Sequence, residues 1–93
     1  MLLSRVRVVG NSMEPALKHN STVIVSSIPY FFKKPKLEDI VILSHQKCII
    51  KRIVGIKEDK IFVVGDNRKQ STDSRNFGWI NKKEIIGKVI LKI

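Results

Sequence analysis

A single cysteine, eight acidic residues, three prolines and no long apolar run are what this 93-residue chain has least of. Cys48 has no second cysteine to meet, which excludes an internal disulfide and any Cys-x-x-Cys metal pair, so nothing here requires an oxidising compartment. Within CIIKRIV it reads as a small buried apolar residue. The opening MLLSRVRVVG is interrupted by Arg5 and Arg7, so it offers neither the apolar core of a signal peptide nor the roughly 20 apolar residues of a membrane span. No other segment comes closer, and the chain is expected in the cytoplasm or held peripherally on a membrane surface. No His, Cys or carboxylate cluster has metal-ligand spacing and no glycine-rich phosphate loop is present, so neither a metal nor a cofactor is expected. Against the few acids stand 18 Lys and Arg, for a formal charge of +10. That field attracts phosphates, anionic lipid headgroups or acidic proteins without choosing among them.

What is present is alternation. Val6 and Val8 oppose Arg5 and Arg7, and β-branched runs follow in TVIV, DIVIL, CIIKRIV, KIFVV and IIGKVILKI. These predict about six strands in one small, mainly β domain spanning 1–93, with hydrophobic residues at 43% sufficient for a single core. The only helix the pattern suggests is a turn or two from Glu14 to about Lys18, with Pro15 suited to a first-turn position. Residues 26–39, SSIPYFFKKPKLED, combine two prolines, three adjacent aromatics and three lysines, a mix that suits a long excursion. Tyr30, Phe31 and Phe32 either cover one end of the core or, beside Lys33, Lys34 and Lys36, form a contact with an anionic membrane surface. Residues 65–78, GDNRKQSTDSRNFG, read as a structured loop with more polar side chains than a connection needs.

Two residues invite chemistry. Ser12 lies in GNSMEP, where ordinary turn chemistry accounts for it and a nucleophile is the alternative. Lys51 falls between Ile49 and Ile53 on one strand face, with Ile50, Arg52 and Val54 on the other. An edge strand would let its ammonium reach water along the alkyl stem. Burial would instead lower its pKa and leave an amine able to accept a proton near neutrality, the general base of a serine–lysine dyad. His19 and His45 sit singly in polar stretches, and a Ser12–His45–Asp39 triad is available on composition but has no local motif behind it.

Three segments, in order and spanning nearly the whole chain, resemble the signal peptidase I family of serine–lysine proteases. VVGNSMEPAL resembles the nucleophile box, IIKRIVGIKEDKI the lysine box, and VVGDNRKQSTDSRNFGWI followed by EIIGKVI the last box and closing strand. The resemblance implies the β fold shared by signal peptidases and self-cleaving SOS-repressor proteases, with a short helical turn after the nucleophile. It implies Ser12 as nucleophile, Lys51 as general base and later acid, and Ser71 as the hydroxyl that holds the lysine amine on target. The Ser12 backbone N–H would be an oxyanion donor; the side-chain hydroxyl some members carry two residues earlier is Gly10 here, so no second donor is implied. Asp66, Asn67, Asp73 and Arg75 match the same last loop as supporting residues, with Asp73 and Arg75 pairing with each other or with backbone. Met13 would pack beneath the site, and Gly65 and Gly78 would serve turn geometry.

The implied activity is that of a serine endopeptidase removing a signal peptide or propeptide from a protein substrate, with small side chains at the first and third positions before the cut. The chain departs from the family at Asn20-Ser21 and Glu58-Asp59, where Gly-Asp is usual, and the resemblance does not extend to an N-terminal membrane anchor. Lys51 and Gly65 are too close in sequence for the large insertion of many bacterial members. The compact form and STDSRNFG look more like mitochondrial inner-membrane proteases and nickel superoxide dismutase maturation proteases. The rivals are a basic β-domain that stacks bases on its aromatics, an inactive peptidase-like binding module, and a self-cleaving repressor domain. No nucleic-acid partner is expected on the family reading, and oligomeric state is left open.

Overall fold

A computed structural model describes residues 2–93. The described residues form seven strands, six of them on the alternating runs: β1 (Ser4–Arg7), β2 (Thr22–Ser26), β3 (Ile40–His45), β4 (Lys47–Lys57), β5 (Lys60–Val64), β6 (Ile80–Asn81) and β7 (Ile85–Lys92). They make one sheet in the order β1-β2-β7-β3-β4-β5-β6, with every neighbouring pair antiparallel. Closing strand β7 is thus inserted between β2 and β3, and it joins the N-terminal strand pair to the β3–β4–β5 meander. The two-residue β6 is the element the alternation did not reveal, because two residues are too few to show a period.

Period-two alternation buries side chains on both sides of this curled sheet. Ile42 joins Val8, Met13, Leu17, Val23 and Val25 in one cluster, while its neighbours Val41 and Leu43 join Ile53, Ile61, Val63 and Ile80 in the other. β4 lies between β3 and β5, so Lys51 is on an interior strand and not on an edge. Cys48, by contrast, is exposed, which corrects the expectation that it is buried. The β3–β4 hairpin turns at Gln46 and projects past the sheet, so Lys47 and Cys48 at its tip have nothing packed over them.

The expected helical turn after Ser12 is a single one: the Leu17 N–H donates to the Met13 carbonyl and no further helix propagates. Single-turn helices form elsewhere, α1 at Pro29–Phe32 inside the 26–39 excursion and α2 at Ser74–Phe77 inside the polar loop. Each exploits a local signal, proline in the first turn for α1 and an Asp73/Asn76 capping box for α2. Asn20 and Glu58, where the family usually has glycine, hold left-handed backbone with φ of 69° and 55°. At Asn20 the substitution is benign, since Asn visits that region readily. Glu58 and Asp59 form the tip of the β4–β5 hairpin, closed by the Lys57–Lys60 pair. No helix among the described residues is long and apolar enough to cross a membrane.

Candidate active site

Ser12 sits in a loop whose base is sewn shut by two backbone bonds, Val8 N–H to Ser21 and Asn20 N–H to Val8, both 2.8 Å. Gly10 opens the loop at φ +90°, a conformation closed to most side chains, and its N–H donates to His19 Nδ1 at 2.8 Å. His19 is therefore a loop fastener. Met13 and Leu17 anchor the far side by burial at 1% and 3% exposure, leaving Ser12 half-buried between them and the cleft. The Ser12 carbonyl accepts from the Asn67 N–H at 2.8 Å, and Asn67 Nδ2 donates to the Asn11 carbonyl at 3.1 Å. This clamp ties the Ser12 loop to the polar loop more than fifty residues later.

Lys51 stands mid-strand on β4, opposite Val41 on β3, and is only 4% exposed. Its Nζ donates to Ser71 Oγ at 3.1 Å, and Ser71 Oγ donates to Asp73 Oδ2 at 2.7 Å. Burial pushes the lysine pKa down from its ordinary value; Asp73 works against that shift, and Lys47 and Arg75 add to it. Asp73 is fully buried yet held well below the usual carboxylate range. Burial alone would raise it, but bonds from the Arg75 guanidinium, the Gly65 and Arg75 N–H groups and the Ser71 hydroxyl reverse the effect.

The ionised state of Asp73 fixes a direction along the whole chain of bonds. A carboxylate only accepts, so Ser71 must spend its proton on Asp73 and offer its lone pair to Lys51. Lys51 must then point an N–H at Ser71. In the neutral amine the nitrogen lone pair is left free of that bond.

Gly65 packs between the two halves of the site. A Cβ there would stand 2.5 Å from the Ser12 carbonyl oxygen and 2.6 Å from Ser71 Cβ, well inside contact distance. Its constraint is close approach and not the turn geometry expected for it; Gly78, at φ +83°, does meet that expectation.

Ser12 and Lys51 line one cleft of about 540 Å³, walled by Val6, Val8, Met13 and Ile49, with Cys48 at its lip. Asp73 and Arg75 pair at 2.9 Å beneath it. Asp66 is held apart from this network, paired at 2.8 Å through both carboxylate oxygens to Arg52, whose other nitrogen donates to the Glu38 carbonyl. Arg52 was legible only as a neighbour of Lys51; its place on the opposite strand face was the signal that it serves a different partner.

The composition-based triad is not assembled. His45 Nδ1 contacts Glu84 Oε1 at 2.7 Å and its ring packs on Phe77, while the Asp39 carboxylate binds the Tyr30 hydroxyl and the Lys36 N–H. Among the described residues no group of three His, Cys, Asp or Glu is placed to hold a metal.

Comparison with known proteins agrees with this arrangement of segments. The chain is 28% identical to a protein described as a probable thylakoidal processing peptidase 2 of Arabidopsis thaliana, over 89% of this chain and 36% of the relative. It is 24% identical to a signal peptidase I of Leptolyngbya laminosa, over 89% of this chain and 64% of that protein. A shorter match, 59% identical over 29 residues, covers 31% of this chain and 16% of a signal peptidase I of Bacillus caldolyticus. The chain thus spans between about a third and two thirds of the length of the two relatives that match it along most of its sequence. Those two alignments, at 131 positions, exceed the 93 residues of this chain, so both relatives carry residues that it lacks. The family described as signal peptidase, peptidase S26, matches residues 1–60 and 55–93, and the chain belongs to it.

Proposed function

We propose that this chain is a serine endopeptidase that removes an N-terminal signal peptide or propeptide from a protein substrate by acyl transfer, as the names of its relatives suggest. Ser12 Oγ attacks the scissile carbonyl while Lys51 Nζ takes its proton, and the oxyanion is stabilised by the Ser12 N–H. The protonated Lys51 then gives that proton to the leaving amine. Lys51, neutral again, deprotonates a water that attacks the acyl-serine carbonyl; as the acyl C–O bond breaks, Lys51 returns that proton to Ser12 Oγ and the second product leaves as an acid.

The observation that carries this reading is a 4%-exposed lysine on the cleft that also holds Ser12, its amine tethered to Ser71. Tethering matters because a lysine side chain has four rotatable bonds, and a misplacement of about 1 Å at a reacting atom costs on the order of 10²-fold. Asp73 and Arg75 are positioning residues, acting through Ser71. Substrate lies extended along the cleft between Val6–Val9 and Lys47–Ile50, gaining affinity from backbone bonds and specificity from shallow pockets suited to small side chains.

Ser12→Ala and Lys51→Met test the proposal with a preprotein whose signal peptide ends in Ala-x-Ala. Each is expected to lose at least on the order of 10⁴ in kcat/KM with an unchanged circular dichroism spectrum. Near-normal turnover by either folded variant refutes the dyad.

A further inference from the structure

The cleft has two unlike faces. Val6, Val8, Ile42 and Ile50 pack in one cluster with Met13, so one face is apolar. At period two the residues between them point the other way: Arg7 between Val6 and Val8 on one wall, Lys47 and Ile49 on either side of Cys48 on the other. Ile49 packs on the opposite cluster, in keeping with that sidedness.

Arg7 and Lys47 are exposed cations on this second face. Among the described residues neither makes an ion pair or a side-chain hydrogen bond, and no carboxylate lines the cleft. The other arginines near the site are spent on structure, Arg52 on Asp66 and Arg75 on Asp73. Lys47 is also within electrostatic reach of the candidate base, since its charge adds to the lowering of the Lys51 pKa. Whatever occupies the cleft therefore meets two positive charges that the fold itself does not neutralise.

The backbone defines how an occupant lies. β5 pairs with β4 only from Arg52 onward and β1 is an edge strand, so Lys47–Ile50 and β1 each lack a ladder partner on one side. An extended chain seated between them alternates its side chains at the same period as its neighbours. Side chains that enter the apolar face thus alternate with side chains that project beside Arg7 and Lys47.

We propose that the cleft selects its substrate by charge: an acidic side chain at the second or fourth position before the cut, next to the small ones that enter the apolar face, is held by Arg7 and Lys47. The inference deepens the peptidase reading and rests on it for the cut. An acid supplies the negative charge that the cleft lacks, whereas a lysine in the same place adds a third cation to two.

Preproteins that differ only in carrying Glu, Gln or Lys at the second or the fourth position before an Ala-x-Ala cut test this with the full chain. At low ionic strength kcat/KM should fall in the order Glu, Gln, Lys at one or both positions, by about fivefold at each step, the scale of one exposed ion pair. In about 1 M salt, where the screening length is about 3 Å, the order should collapse. Arg7→Gln with Lys47→Gln should level the three substrates, and Arg7→Glu with Lys47→Glu should invert them. Ratios taken within one enzyme cancel any effect of a variant on Lys51. Fluorescein-labelled peptides of the same sequences, bound to Ser12→Ala, should show the same order in Kd. Equal kcat/KM for the three at both positions, or a Glu preference that survives the double Gln variant, overturns the proposal. No cleavage of any substrate with the Kd order intact removes the peptidase reading and leaves the charge selection standing; no cleavage with equal Kd values removes both.

Discussion

Gly65→Ala is the sharpest perturbation available, because it adds one methyl at the point where the two halves of the site touch. That methyl would lie 2.5 Å from a backbone oxygen and 2.6 Å from a side-chain carbon, against an ordinary contact of about 3.5 Å, so about 1 Å of separation must be found. Neither neighbour yields freely. The Ser12 carbonyl is bonded to Asn67, and Ser71 is bonded to both Lys51 and Asp73. Overpacking of this kind costs about 1–3 kcal/mol, which for a domain of this size lowers Tm by on the order of 10 °C. Displacing Ser12 from Lys51 by a comparable distance lowers kcat by roughly a hundredfold while KM moves little. Gly55→Ala is the control. Its methyl would meet the Trp79 ring at 3.1 Å and Phe62 Cβ at 3.2 Å; the ring, on a residue 46% exposed, can swing aside and Phe62 need give only about 0.3 Å, so the cost is well below that of Gly65→Ala. Thermal melts and steady-state kinetics on both variants decide the matter: wild-type Tm and kcat/KM for Gly65→Ala refute the packing argument.

Because burial lowers Lys51 below its ordinary 10.5, kcat/KM should rise with pH and level off before free lysine would titrate; a flat profile between about pH 6 and about pH 10 contradicts a titrating base. Asp73→Asn should cost about 2–3 kcal/mol near neutrality, toward the low end for a buried pair because the Arg75 side chain is 38% exposed. The folded-state pKa of Asp73 is depressed, so its contribution is complete above the unfolded value and is lost as pH falls; urea titrations should show the gap to wild type narrowing below about pH 4, and a constant gap refutes the ionised Asp73. Maleimide on the exposed Cys48 thiol at the cleft lip should block cleavage, with Cys48→Ala resistant; inhibition of both alike would place the reaction elsewhere.

Strands were legible because period two survives wherever a sheet has two different faces, as at Arg5-Val6-Arg7-Val8. The same period, however, misled at Cys48, since alternation says which side a residue faces and not whether anything covers it at a hairpin tip. Single-turn helices escaped for the opposite reason: four residues complete barely one period, and Pro29–Phe32 and Ser74–Phe77 depend on a proline and a capping box. The identities of the candidate site residues came from motif resemblance. The Lys51–Ser71 contact came with it, but Ser12–Asn67 did not, because it joins segments whose proximity is set by the sheet order. Arg52–Asp66 and Gly65 belong to the same class: each depends on which strand lies beside which.

The hairpin tip at Glu58–Asp59 gives the fold a natural splice point. The Lys57–Lys60 rung closes it, the Lys82 N–H donates to the Asp59 carbonyl at 2.8 Å, and Lys51 lies roughly 20 Å back along the ribbon. Loop-closure entropy grows only logarithmically with added length, so a reporter or affinity module grafted there with the Asp59–Lys82 bond kept adds little strain at the candidate site. The two stretches matched by the family model overlap at residues 55–60, on this same hairpin. The candidate site, mid-strand on β4, and this splice point just past the end of that strand are therefore separable.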